Sequence, residues 1–170
     1  MLVLIVAAFV GAFGSSGVGG GAPPAQNASV EAAQATKART LEFLHALEQK
    51  DMSALADILD PDVTLTHPIR STGIQQPDTV FVGKEQVLGY LSSVFQLMST
   101  VEFVNVRLSV AVGAPTSFVQ TYGDFTTFDG RPYNNVYLLR LDWRDGLLVS
   151  GEEYFNPVTF NKTFGYPPLG

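Results

Sequence analysis

The sequence predicts an α+β fold in which helices pack on one face of an antiparallel sheet. Two observations carry that prediction. Helix-periodic segments fill the first part of the chain, and β-branched or aromatic runs fill the second. One near-continuous stretch, Arg131 to Pro157 (RPYNNVYLLRLDWRDGLLVSGEEYFNP), joins two apolar runs through Asp145-Gly146. That pair supplies the positive φ angles of a tight two-residue hairpin turn.

Before the first predicted helix lies a segment of different character. Met1 to Phe13 is apolar and uncharged, and the first charged side chain is Glu31. Residues 1–14 fit a signal peptide better than a membrane span, which needs roughly 20 apolar residues. The expectation is secretion, with membrane anchoring by an uncleaved segment as the alternative. Residues 15–28 are Gly-rich with the Pro23-Pro24 pair, a composition that reads as a linker. In a eukaryotic secretory pathway Asn27 and Asn161 would be glycosylation acceptors, since Asn27-Ala-Ser29 and Asn161-Lys-Thr163 are both sequons.

The folded domain is expected over 29–162, with 163–170 as a C-terminal tail. Its first helix places Thr36, Thr40, Phe43, Leu44 and Leu47 on one stripe, with His45 well off it. Asp51 caps a short second helix over Ser53 to Leu59, which Asp60-Pro61 stops. Val63 to Ile69 is a strand ended by Pro68, which lacks the N–H a ladder needs. Gly73 to Val82 reads as a polar loop. A third helix starts at Gly83-Lys84-Glu85 and buries Val87, Leu91, Val94, Phe95 and Met98. Strands at Val101 to Val112 and Phe118 to Phe128 then lead through Asp129-Gly130 into the hairpin.

Composition narrows the function. The chain has 170 residues, 46% of them hydrophobic, which suits one globular domain. A net charge of -6 without a basic cluster excludes nucleic acid as a partner. With no cysteine, two histidines and no metal-ligand spacing, no metal site is expected. No Gly-rich phosphate loop follows a strand, so no cofactor is expected either.

Counting outward from a two-residue turn sets Trp143 by Leu148, Leu139 by Glu152, Tyr137 by Tyr154 and Asn135 by Asn156. A preceding turn of even length would put Phe118, Gln120, Tyr122, Asp124 and Thr126 on the same face; an odd one would turn them out. In the even case a polar band of Tyr122, Asp124, Asn135, Tyr137, Tyr154 and Asn156 crosses an apolar cavity. Such convergence marks a small-molecule site. Asp124 is then a candidate general base, with Tyr and Asn donors for an oxyanion. His67 is the other candidate base, paired with Asp62 or Asp124. The competing reading makes Asp124 a structural acceptor and the tyrosines amphipathic core. Glu152 and Glu153 are adjacent, so they face opposite sides and one is solvated.

Four stretches together carry a family resemblance: ALEQKDMSALADILDPDV, VTLTHP, FVGKEQVLGYL and YNNVYLLRLDWRDGLLVSGEEYFNP. From about Val30 to Phe160 the chain resembles the SnoaL-like branch of the nuclear transport factor two-like superfamily. The resemblance implies a cone of strongly curved antiparallel sheet wrapped against three helices around a mostly apolar pocket. Relatives include isomerases, polyketide cyclases, dehydratases and members without known catalysis, so fold alone leaves the activity open. It implies a small apolar or cyclic substrate, or else a non-catalytic binder of a hydrophobic molecule or a homodimeric module. Several such relatives carry a catalytic Asp where this chain has Asn156, an amide that cannot take a proton at neutral pH.

Overall fold

The computed structural model describes residues 24–71 and 79–165, with side chains from Ser29 onward. The expected signal peptide, most of the linker and the side chain of Asn27 lie outside the described residues.

Among the described residues four helices and nine strands follow one another: α1 (Pro24–Glu48), α2 (Met52–Ile58), β1 (Leu59–His67), β2 (Thr79–Val82), α3 (Lys84–Leu97), β3 (Met98–Thr100), β4 (Phe103–Val110), β5 (Thr116–Gly123), β6 (Phe125–Thr127), β7 (Pro132–Tyr133), β8 (Val136–Arg144), β9 (Leu147–Phe155) and α4 (Pro157–Phe164). The main sheet has the order β2-β1-β9-β8-β5-β4, and β3-β6-β7 form a smaller one. The result is an α+β cone of mostly antiparallel sheet closed over by helices. The β1–β9 contact is parallel, the one departure from the expected antiparallel pairing among the described ladders.

The α1 stripe is buried as its spacing requires: Thr36, Thr40, Phe43, Leu44 and Leu47 face the sheet, while His45 is exposed. Each buried apolar side chain there stabilises the fold by roughly 1.5–3 kcal/mol. Buried hydroxyls need partners, and Thr40 solves this with a relay. Its Oγ1 donates to the Thr36 carbonyl at 2.8 Å and lies 2.8 Å from Ser117 Oγ, which accepts from Trp143 Nε1 at 3.1 Å. The relay fastens α1 to β5 and β8. Asp51 caps α2 by accepting from the amides of Ser53 and Ala54.

Three boundaries differ from the sequence expectation. Helix α1 begins at Pro24, so residues 24–28 are helical rather than linker. Part of the expected loop before α3 is β2, paired with β1 from His67↔Thr79 to Thr64↔Val82. The expected tail overlaps a fourth helix: Asn156 accepts from the amides of Val158 and Thr159, Pro157 opens α4, and Gly165 ends it in the left-handed region at φ 77.

Register decides which side chains enter the cone. The Asp145-Gly146 turn is as expected, with φ of 52 and 78, Arg144 opposite Leu147 and Trp143 opposite Leu148. One step on, Asp142 pairs with Ser150, leaving Val149 as an extra residue in β9. This bulge shifts the remaining pairs by one, to Leu139↔Glu153 and Tyr137↔Phe155. The earlier turn is odd: Phe128, Asp129 and Gly130 form a loop closed by Thr127 N donating to Arg131 O at 2.9 Å. Ser117, Val119 and Thr121 consequently face inward opposite Leu141, Leu139 and Tyr137.

Candidate functional site

The inner surface encloses a cavity of about 330 Å³, lined by side chains from α1, β1, β2, α3, β3, β4, β6, β7, β8, β9 and α4. The lining is dominated by Leu, Val and Phe side chains, with a few polar groups set among them. That volume lies at the lower end of the roughly 300–1,000 Å³ usual for small-molecule sites.

One polar cluster stands out on the wall. His67, the last residue of β1, is 8% exposed and sits among the rings of Phe81, Tyr90 and Phe155, with centroids 5.6, 5.0 and 5.8 Å away. Its Nε2 lies 3.3 Å from Glu153 Oε2 but off the direction a hydrogen bond needs, so the nitrogen has no hydrogen-bond partner. The same Glu153 oxygen accepts from Tyr90 Oη at 3.2 Å. Tyr90 is held by stacking on Phe81 at 4.6 Å. Three elements thus meet at one carboxylate.

Tyr133 and Tyr137 add two phenols to the cavity. Burial pushes the Tyr137 hydroxyl well above the usual phenol range, with the neighbouring Tyr133 and Glu153 adding to the rise. Burial likewise raises Tyr133, against the opposing hydrogen bonds from Tyr137 and Asn135. Tyr90 is raised well above its ordinary value by burial and then by the Glu153 charge beside it. All three therefore remain protonated near neutral pH and serve as donors.

The structure keeps two of the expected site residues, His67 and Tyr137, on the cavity wall. Asn135 is buried, but its amide is consumed: Oδ1 accepts from Val136 N and Asn156 N, and Nδ2 donates to Tyr133 Oη and Asn156 O. Asn156 caps α4 rather than facing a ligand. Three placements are corrected. Asp124 is exposed and Tyr122 is 49% exposed, because the odd loop at 128–130 turns the even-numbered residues outward. Tyr154 faces out because of the Val149 bulge, and its hydroxyl donates to Glu152. Neither expected partner of His67, Asp62 or Asp124, takes that place; Glu153 does. Asn161 Nδ2 donates to Ser71 O at 2.7 Å and its Oδ1 is buried, so the sequon amide is engaged within the fold.

The sequence reading missed Glu153, Tyr90 and Tyr133. A signal existed for the first: Gly151 interrupts the β9 pattern, and a glycine inside a strand often marks a bulge or close approach. For Tyr90 the signal was its position three residues after Val87, at the margin of the α3 stripe. Among the described residues no three His, Cys, Asp or Glu side chains come together as a metal-ligand set.

A curved sheet closed over by helices around an apolar cavity is a nuclear transport factor two-like fold. The SnoaL-like domain family matches residues 40–151, and the chain belongs to that family. Among solved structures, it is similar to a candidate isomerase from Bacillus subtilis at 21% identity and TM-score 0.68, covering 84% of this chain and 99% of that one. A phenazine biosynthesis-related protein from Pseudomonas aeruginosa gives 15% identity and TM-score 0.67, covering 85% and 94%. The BvnE pinacolase from Penicillium brevicompactum gives 12% identity and TM-score 0.64, covering 76% and 92%. At these identities the likeness is one of fold. No curated protein matched the sequence.

Proposed function

We propose that the cavity binds a small apolar or cyclic carbonyl compound and that Glu153, beside His67, moves a proton within it without a cofactor. The observation that carries this is the Glu153 carboxylate at the cavity wall, one oxygen of which lies beside both Tyr90 Oη and His67 Nε2. In this reading the Glu153 carboxylate takes a proton from the carbon next to the carbonyl. The electron pair moves onto the carbonyl oxygen, where the O–H of Tyr137 or Tyr133 donates to the forming oxyanion. Return of the proton to a different carbon completes an isomerisation; its delivery to a neighbouring hydroxyl, which leaves as water, gives dehydration, and attack of the enolate carbon on a second carbonyl, whose oxygen takes the proton, gives cyclisation. His67 Nε2 stands close enough to the carboxylate to take over its proton between steps. One similar fold carries the name of an isomerase candidate, which agrees with the class proposed.

The test is solvent deuterium exchange into a panel of cyclic ketones, followed by NMR. The wild-type protein is expected to accelerate exchange of at least one member, and Glu153→Gln to slow it by about 10²–10⁴-fold, the usual contribution of a general base. Binding of the ketones with equal exchange in both proteins would refute catalysis and leave a non-catalytic binder.

A further inference from the structure

Helix α4 lies C-terminal to the residues 40–151 that the family model matches, and it supplies one wall of the cavity through Phe160 and Phe164. The Phe164 ring meets Tyr133 edge-on at 5.1 Å and lies 4.9 Å from Phe160, which in turn lies 5.5 Å from Phe155. No residue of α4 is buried, so the helix is a thin cover rather than part of the core. It is held at both ends. At the start, the Asn135 amide binds the backbone N–H and C=O of Asn156 while also reaching Tyr133 Oη, which ties the hinge to a pocket phenol. Toward the end, Asn161 Nδ2 donates to Ser71 O and Arg131 Nη1 donates to Thr163 O.

We propose that Phe160 and Phe164 are the specificity-determining wall of this pocket and that α4 is a latched cover whose release lets the ligand in and out. The proposal rests on the cavity being a ligand site, and is independent of whether Glu153 catalyses. The two rings set the size of molecule the chain accepts. The Asn161–Ser71 contact, a single neutral hydrogen bond at a partly exposed helix, is weak enough to open on binding, since water can replace it.

A homologous series of 4-alkylphenols, ethyl to octyl, tests it. Each carries a hydroxyl that suits the Glu153 carboxylate or His67 Nε2, which makes no hydrogen bond, and an alkyl chain of graded volume. Wild-type affinity, measured by calorimetry, is expected to pass through an optimum along the series. Phe164→Ala should move that optimum to longer chains by two or more carbons, and Phe164→Trp should move it to shorter ones. Opposite shifts cannot come from general destabilisation, which would weaken all members in both variants. Asn161→Ala, which keeps both rings, should raise the dissociation rate several-fold with the optimum unchanged. Binding with an optimum that neither Phe164 variant moves would overturn the wall, and an unchanged dissociation rate in Asn161→Ala would overturn the latch. Failure of every phenol to bind would overturn the pocket reading and this inference together.

Discussion

Adding one methyl group at Gly123 should loosen the fold and the site together, while the same change at Gly89 should tighten the fold. A Cβ at Gly123 would stand 2.9 Å from Phe125 Cε1, 3.0 Å from Phe125 Cζ and 3.0 Å from Tyr137 Cε2. Carbon atoms pack best about 3.5–4.0 Å apart, so one ring or both must retreat by roughly 0.5–1 Å. Those rings stack with centroids 5.7 Å apart and line the cavity. Overpacking of this kind costs about 1–3 kcal/mol. With about 2.1 cal/mol/K of unfolding entropy per residue over a domain of this length, that is a fall in Tm of roughly 3–10 °C. At Gly89, on the exposed face of α3, a Cβ meets nothing within 4 Å. Gly→Ala there should stabilise by about 1 kcal/mol through helix propensity alone. Calorimetric melting of both variants, with aromatic NMR shifts of Phe125 and Tyr137, reads the effect. A Gly123→Ala protein as stable as wild type, with unmoved ring shifts, would refute the packing derived for this wall.

Two further outcomes follow from buried polar groups. Thr40→Val keeps the shape but removes the acceptor for Ser117 in the Trp143–Ser117–Thr40–Thr36 relay, and should cost about 1–3 kcal/mol, read from the denaturant midpoint with Trp143 fluorescence; no change would mean the relay carries no stability. Tyr90, Tyr133 and Tyr137 have raised folded-state values, so the unfolded chain loses these protons first as pH rises. Their contribution is fully present below about pH 10, the unfolded phenol value, and is lost as pH climbs toward the folded values. Ultraviolet titration should show these phenols ionising only with unfolding; smooth ionisation in the folded protein near pH 10 would contradict their burial.

Local rules made much of the architecture legible. The α1 stripe, the Asp51 cap, the start of α3 and the Asp145-Gly146 turn each depend on residues within one helical turn or one hairpin loop. The inner face of β8, with Tyr137, Leu139, Leu141 and Trp143, followed from alternation alone. The site was harder because strand side chains have period two, so one extra residue exchanges the faces. The three-residue loop at 128–130 sent Asp124 and Tyr122 outward, and the bulge at Val149 put Phe155 in place of Tyr154 on the cavity wall and brought Glu153 rather than Glu152 beside His67 and Tyr90. Neither event alters the hydrophobic pattern enough to be counted from sequence. Helix α4 is a different case: Asn156, Pro157 and Gly165 form a complete set of start and stop signals. Reading Asn156 as a pocket residue at a strand end concealed them.

The direction in which β9 turns its side chains underlies both the proposed base and the pocket wall, and NMR measures it directly. In a protein with assigned aromatic rings, cross-relaxation contacts from the His67 ring are expected to Tyr90 and Phe155, whose centroids lie 5.0 and 5.8 Å away. Contacts from His67 to Tyr154 instead of Phe155 would mean an unbulged strand, with Glu152 rather than Glu153 inside the cone.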